Sequence, residues 1–99
     1  MPTRKSLEEA GDIIGLIGDE IERARKKFPD WPEDNVHAAA IVAEEAGELV
    51  RAALQHEYEC GDREAMRTEA IQCAAMCLRF LVGLRADEIA EDEEADRAT

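Results

Sequence analysis

The run VHAAAIVAEEAGELVRAAL, from Val36 to Leu54, decides the fold. Val36, Ala39, Ala40, Val42, Ala43, Ala46, Leu49, Val50, Ala53 and Leu54 point in nearly every direction around a helix, which predicts an element buried almost all round. Glu44, Glu45 and Glu48 interrupt it. At about 100° per residue, Glu45 and Glu48 (i, i+3) and Glu44 and Glu48 (i, i+4) share one stripe with Ile41 and Ala52. Unpaired carboxylates in such a setting are costly or take up a proton. A compensating group is therefore expected: a metal ion, Lys or Arg partners, or a water-filled cleft. The stripe is a candidate cation site.

Helices flank this run on both sides. Ser6-Leu-Glu-Glu9 reads as a capping box, followed by Leu7, Ala10, Ile14, Ile17, Ile21, Ala24 and Phe28 at helical spacing, with Ile13 widening the stripe. Gly11, Gly15 and Gly18 weaken that helix, so either a neighbouring backbone approaches closely or the helix bends. Pro29 and Pro32 break the pattern between Phe28 and Asn35, and Asp34 or Asn35 is placed to cap the second helix. Cys60-Gly61-Asp62 punctuates the next turn, with Gly61 as the left-handed stop and Asp62 as the following cap. The third helix is expected from about Arg63 to Leu84, apolar on every side in its second half, with a short fourth helix near Asp87 to Ala90. No strand alternation and no internal repeat is present. The fold class is all-α: an antiparallel bundle of three long helices plus a short C-terminal helix or tail, completed by oligomerisation, since one amphipathic partner cannot cover two apolar helices.

Composition narrows the function. The 99-residue chain is one domain with a formal net charge of -12, which argues against nucleic acid polymers and anionic membranes as partners. Nucleotides stay open, because a divalent cation reverses the field that a phosphate meets. Residues 1–85 form the helical domain and 86–99 an acidic tail, ADEIAEDEEADRAT, whose seven acids and one Arg suggest a frayed or short helix or a disordered end. No leader-like apolar segment and no run long enough to span a bilayer is present, so a cytoplasmic protein is expected. Cys60, Cys73 and Cys77 show no CxxC, and Cys73 and Cys77, at i, i+4, read as small core hydrophobes rather than a disulfide.

Glu69 brings a further acid into the apolar half of the third helix, with Gln72 at i+3. Antiparallel packing across the Gly61 turn places Glu48 and Glu69 within about one helical turn in depth. Glu45, Glu48, Glu69 and Gln72 then offer an oxygen set that suits Mg²⁺ or Mn²⁺. Glu45-Ala-Gly-Glu48, a gap of twenty residues, and Glu69-Ala-Ile-Gln72 resemble the ExxE…ExxD signature of the MazG-like, all-α nucleoside triphosphate pyrophosphohydrolases. The resemblance covers roughly Trp31 to Leu84 and includes the EEAGEL wording. It implies a homodimeric or homotetrameric helical bundle that holds Mg²⁺ through its acids and splits a nucleotide into monophosphate and pyrophosphate. Gln72 departs from it, standing as a neutral amide where the family has Asp.

By this resemblance Glu45, Glu48 and Glu69 hold the metal, and Glu44 or the metal activates the water. Trp31, at the entry to the second helix, either stacks on the base or packs the loop onto the core. His37, two turns before Glu45, either faces a phosphate or serves as a polar residue at a helix start. Arg23, Arg25, Lys26 and Lys27 suit the dipole at a helix C-terminus, and Lys27 with Arg51 is a candidate for steering the triphosphate. Arg67 and Arg79 are read as partners for Glu side chains on a neighbouring subunit. Three alternatives remain: a catalytically silent scaffold or interaction protein with this fold, a phosphoribosyl-ATP pyrophosphatase-like enzyme, and a small acidic partner protein.

Overall fold

The computed structural model describes residues 8–98 and contains three helices: α1 (Gly11–Lys27), α2 (Asn35–Tyr58) and α3 (Arg63–Ala98). The chain is all-helical, with no strand among the described residues. Ser6, whose hydroxyl the expected capping box with Glu9 needs, lies outside them. Both other expected caps are made. Asp34 accepts from the Val36 amide at 2.9 Å and Asp62 from the Glu64 amide at 3.0 Å, each satisfying a donor that the first turn leaves free.

α3 is the spine. The α1 and α2 backbones each pack against it rather than against one another, and a four-residue turn makes α2 and α3 an antiparallel pair. Ala24 of α1 is buried against Ala75 and Met76 of α3, with Ile17, Ile21, Trp31, Ile41 and Val42 packed around them. A Cβ built on Gly11, Gly15 or Gly18 meets nothing within 4 Å, so no neighbouring backbone explains those glycines.

Four expectations need correcting. First, α2 is not buried all round. Ala38 and Ala52 are buried and Ile41, Val42, Glu45, Ala46, Leu49, Ala53 and His56 half-buried, a single face at 3–4 spacing. Val36, Val50 and Leu54 are exposed, as are Leu78, Leu81 and Val82 on α3, because α3 is one neighbour and covers one side. Second, no break separates a short fourth helix from the third. α3 continues to Ala98 through a stretch free of Gly and Pro, and Glu93 faces Arg97 at i+4.

Third, the left-handed residue at the end of α2 is Cys60, at φ 57°, and not Gly61. Gly61 serves close approach instead: its amide donates to the Gln55 carbonyl at 2.8 Å, and a Cβ there would lie 2.9 Å from the Gln55 carbonyl carbon. The His56 Nδ1–H closes the turn by donating to the Gly61 carbonyl at 2.8 Å. Fourth, the cysteines are not uniformly core residues. Cys73 is half-buried, while Cys60 sits in the exposed turn and Cys77 on the outer side of α3. No described helix is long and apolar enough to cross a membrane.

Candidate functional site

Glu45 is the one member of the α2 acid triad on the face turned toward α3; Glu44 and Glu48 are exposed at its sides. One turn of helix is enough to separate them, since Glu45 follows Ile41 and Val42 on the packed stripe. Burial pushes the Glu45 carboxyl above its ordinary value, and Glu69, Glu48, Glu20 and Glu44 push it further in that order. Negative charge from all three helices therefore converges on this position. Glu69 is half-buried on α3, and Gln72, one turn on, lines the same cleft as Glu45.

That cleft holds about 150 Å³ and lies where the three helices meet, lined by Glu20, Arg23 and Lys27 of α1, Glu45 of α2, and Gln72 and Arg79 of α3, among others. Glu20 contributes the α1 acid, which the sequence reading missed. Its carboxylate is held by Arg23 at 2.9 Å to Nε and 2.6 Å to Nη2, and it is 15% exposed. The clue was its spacing, three residues after Ile17 and four before Ala24, on the edge of the packed stripe.

Arg79, expected to pair with a Glu of a neighbouring subunit, has a different setting. Its place three residues after Met76 and four after Ala75 puts it on the buried stripe of α3, and it is only 9% exposed. The guanidinium lies 4.9 Å from the centre of the Trp31 ring and Nη2 donates to the Phe28 carbonyl at 2.9 Å. It is thus turned into its own chain instead of outward to a neighbouring subunit. Trp31 packs the interhelical loop onto α3, close enough to Gly83 that a Cβ there would stand 3.1 Å from its Cδ1. It lines a neighbouring cleft of about 210 Å³, and Arg79 borders both.

The remaining candidates are more dispersed. Arg51 reaches Glu48 on its own helix at 3.9 Å, both side chains being more than half exposed. Lys27 lines the acid cleft, with Nζ 5.5 Å from the centre of the Phe28 ring. His37 is exposed at the start of α2 and lines neither cleft.

Among the described residues no three His, Cys, Asp or Glu side chains close around a point that a metal ion would occupy. Two of the acids explain part of this, Glu20 being turned to Arg23 and Glu48 to Arg51. The donor chemistry nonetheless fits a hard cation. Carboxylate oxygens and an amide oxygen are what Mg²⁺ and Mn²⁺ take; burial does more than any one neighbouring acid to raise the Glu45 carboxyl, and Arg23, Lys27 and Arg79 line the cleft beside it.

No family model matches the chain, and no curated protein or solved structure matches it. The assignment of a function therefore rests on the residues themselves.

Proposed function

We propose that this chain is a metal-dependent nucleotide pyrophosphohydrolase of the MazG-like all-α kind, cleaving a (d)NTP to (d)NMP and pyrophosphate. The observation that carries the reading is the crowding of Glu45 by Glu69, Glu48 and Glu20 at a half-buried point between three helices. Perturbed carboxyls in a cleft cluster at functional sites, and oxygen ligands of this kind suit a hard cation.

In this reading Glu45, Glu48 and Glu69 hold Mg²⁺ or Mn²⁺, with Gln72 adding its amide oxygen. The bound ion supplies charge neutralisation for the phosphate chain and the leaving pyrophosphate. The protein's own groups do the rest. Glu44, on the exposed flank of Glu45, accepts the proton of the attacking water. Lys27, in the cleft, and Arg51, beside Glu48, draw the phosphates in. Trp31 stacks on the base, and His37, at the start of α2, faces a phosphate.

The exposed apolar residues support a homodimer or homotetramer. Ala39, Val42, Cys77, Phe80 and Leu81 line an apolar groove of about 340 Å³ on the outer side of the α2–α3 pair. Burial of such surface in a second copy supplies the apolar area that a chain this small lacks.

A second reading, a scaffold that keeps the fold without the reaction, is favoured by one residue. Gln72 removes a negative charge from the position where the motif carries Asp. Pyrophosphate release from a panel of NTPs and dNTPs with Mg²⁺ or Mn²⁺, run beside Glu48→Gln, separates the two. Glu48 is 53% exposed at its side chain and its ion pair with Arg51 is a solvated one, so the variant keeps its fold. Release that vanishes in Glu48→Gln supports the enzyme; silence across the panel from folded protein supports the scaffold.

A further inference from the structure

Arg79 is a buried cation without a carboxylate partner among the described residues. Its guanidinium carries five N–H donors, of which one goes to the Phe28 carbonyl. The Trp31 ring covers one of its faces. No buried side-chain nitrogen or oxygen among the described residues lacks a partner, so the donors left over reach the two clefts that Arg79 borders. A guanidinium with so little exposed surface is normally paired. Burial, with Arg25 adding to it, draws its pKa below the ordinary value.

The groups beside it sharpen the ligand class. Lys27 lines the same cleft and also lacks a carboxylate partner among the described residues, while Arg23 is engaged by Glu20; Glu45 is the other carboxylate there, so two open cations stand against one open acid. We propose that Arg79 and Lys27 form an oxyanion-binding cleft for a phosphate chain, with Arg79 as its fixed inner end and Lys27 as its mobile outer one. A planar guanidinium braced on an aromatic ring offers two parallel donors to a phosphate, and a lysine supplies a point charge. Gln72 adds a carboxamide that donates to a phosphate oxygen, which an Asp in its place would repel. The substitution that weakens the metal set thus improves the anion cleft. The inference rests on the nucleotide reading for the choice of a polyphosphate over other oxyanions; Arg79 itself does not depend on it.

Trp31 is the only tryptophan in the chain and lies against Arg79, so its fluorescence reports on the cleft. Inorganic pyrophosphate titrated into the full chain, in EDTA and again in Mg²⁺, is expected to give a saturable change, confirmed by calorimetry. Inorganic sulfate is expected to bind more weakly. Lys27→Glu, an exposed change in the last turn of α1, is expected to weaken pyrophosphate at least about fivefold, and Arg79→Lys to weaken it further. Should Arg79→Lys fail to fold, Lys27→Glu decides alone. Absence of saturable binding in both buffers, unchanged affinity in Lys27→Glu, or equal affinity for sulfate overturns the proposal. Turnover of nucleotides with pyrophosphate affinity unaltered by Lys27→Glu would remove the cleft and leave the proposed reaction; Lys27-dependent binding without turnover would do the reverse.

Discussion

Glu45 on α2 is pushed toward its protonated form more strongly by Glu69, across the seam on α3, than by Glu48 one turn along its own helix. The convergence is tertiary: the hairpin brings the two acids together, and folding forces them to share a partly dehydrated space. A group whose folded pKa is raised binds protons more readily folded than unfolded. Its cost is absent below the unfolded value, appears as pH rises from there through the folded value, and persists at neutral pH.

Glu45→Gln should therefore stabilise the metal-free protein at pH 7, raising the melting temperature by a few degrees. The gain should fade as pH falls through the raised folded value and be gone below the ordinary glutamate value of 4.5. Thermal melts in EDTA from pH 4 to 8 check this. A variant no more stable than the parent at pH 7 would show that the carboxylates do not strain the fold.

Mg²⁺ is expected to reverse the same strain. At ten times its dissociation constant a single bound ion adds about 1.4 kcal/mol to stability, visible as a rise in melting temperature. Glu45→Gln should lose most of that rise. An equal shift in both proteins would point to binding elsewhere, the acidic end of α3 being the obvious place.

Gln72→Asp should have two opposite effects. In EDTA it adds a charge beside Glu45 and lowers the melting temperature; with Mg²⁺ it supplies the missing anionic ligand and enlarges the metal-dependent rise. Paired melts of parent and variant, with and without the ion, test this. A variant whose response to the ion matches the parent's would exclude residue 72 from the metal set.

At the α2–α3 turn two neighbouring substitutions should act in opposite directions. Cys60→Gly frees a residue at φ 57° from the cost of a side chain in the left-handed region, a gain of roughly 1 kcal/mol. Gly61→Ala drives a methyl against the Gln55 backbone, which cannot yield as a flexible side chain would, and should cost about 2 kcal/mol. Urea unfolding of the two variants checks both signs.

The sequence made much of this architecture legible. Pro29 and Pro32 marked the break before α2, and Asp34 and Asp62 marked helix starts, because capping and proline chemistry are local. The end of α3 was misread for a related reason. A block of like charges suggests fraying, yet Ala86 to Ala98 lacks any helix breaker and extends a helix already nucleated, where each added residue costs little. At the site, the spacing of Glu45, Glu48 and Glu69 was readable along the chain. Glu20 was passed over and Arg79 was assigned to a neighbouring subunit, because what makes them notable is their surroundings: an α1 edge meeting α2 and α3, and a loop that lays Trp31 over a guanidinium. The left-handed position at Cys60 was hidden as well, since composition favours Gly61 and only the closing bond to Gln55 distinguishes them.

The uninterrupted α3 has a consequence for how large this protein looks in solution. At 1.5 Å per residue its 36 residues extend about 54 Å, and the protomer measures 61 × 33 × 27 Å with a radius of gyration of 16.9 Å. A compact chain of 99 residues would have a radius near 13 Å, and 16.9 Å is what a compact chain of about 210 residues has. One elongated copy therefore has the scattering radius of two globular ones. In small-angle scattering a lone protomer will look as large as a compact dimer, and a true dimer will be recognised by its mass, through light scattering or sedimentation equilibrium, more surely than by its radius.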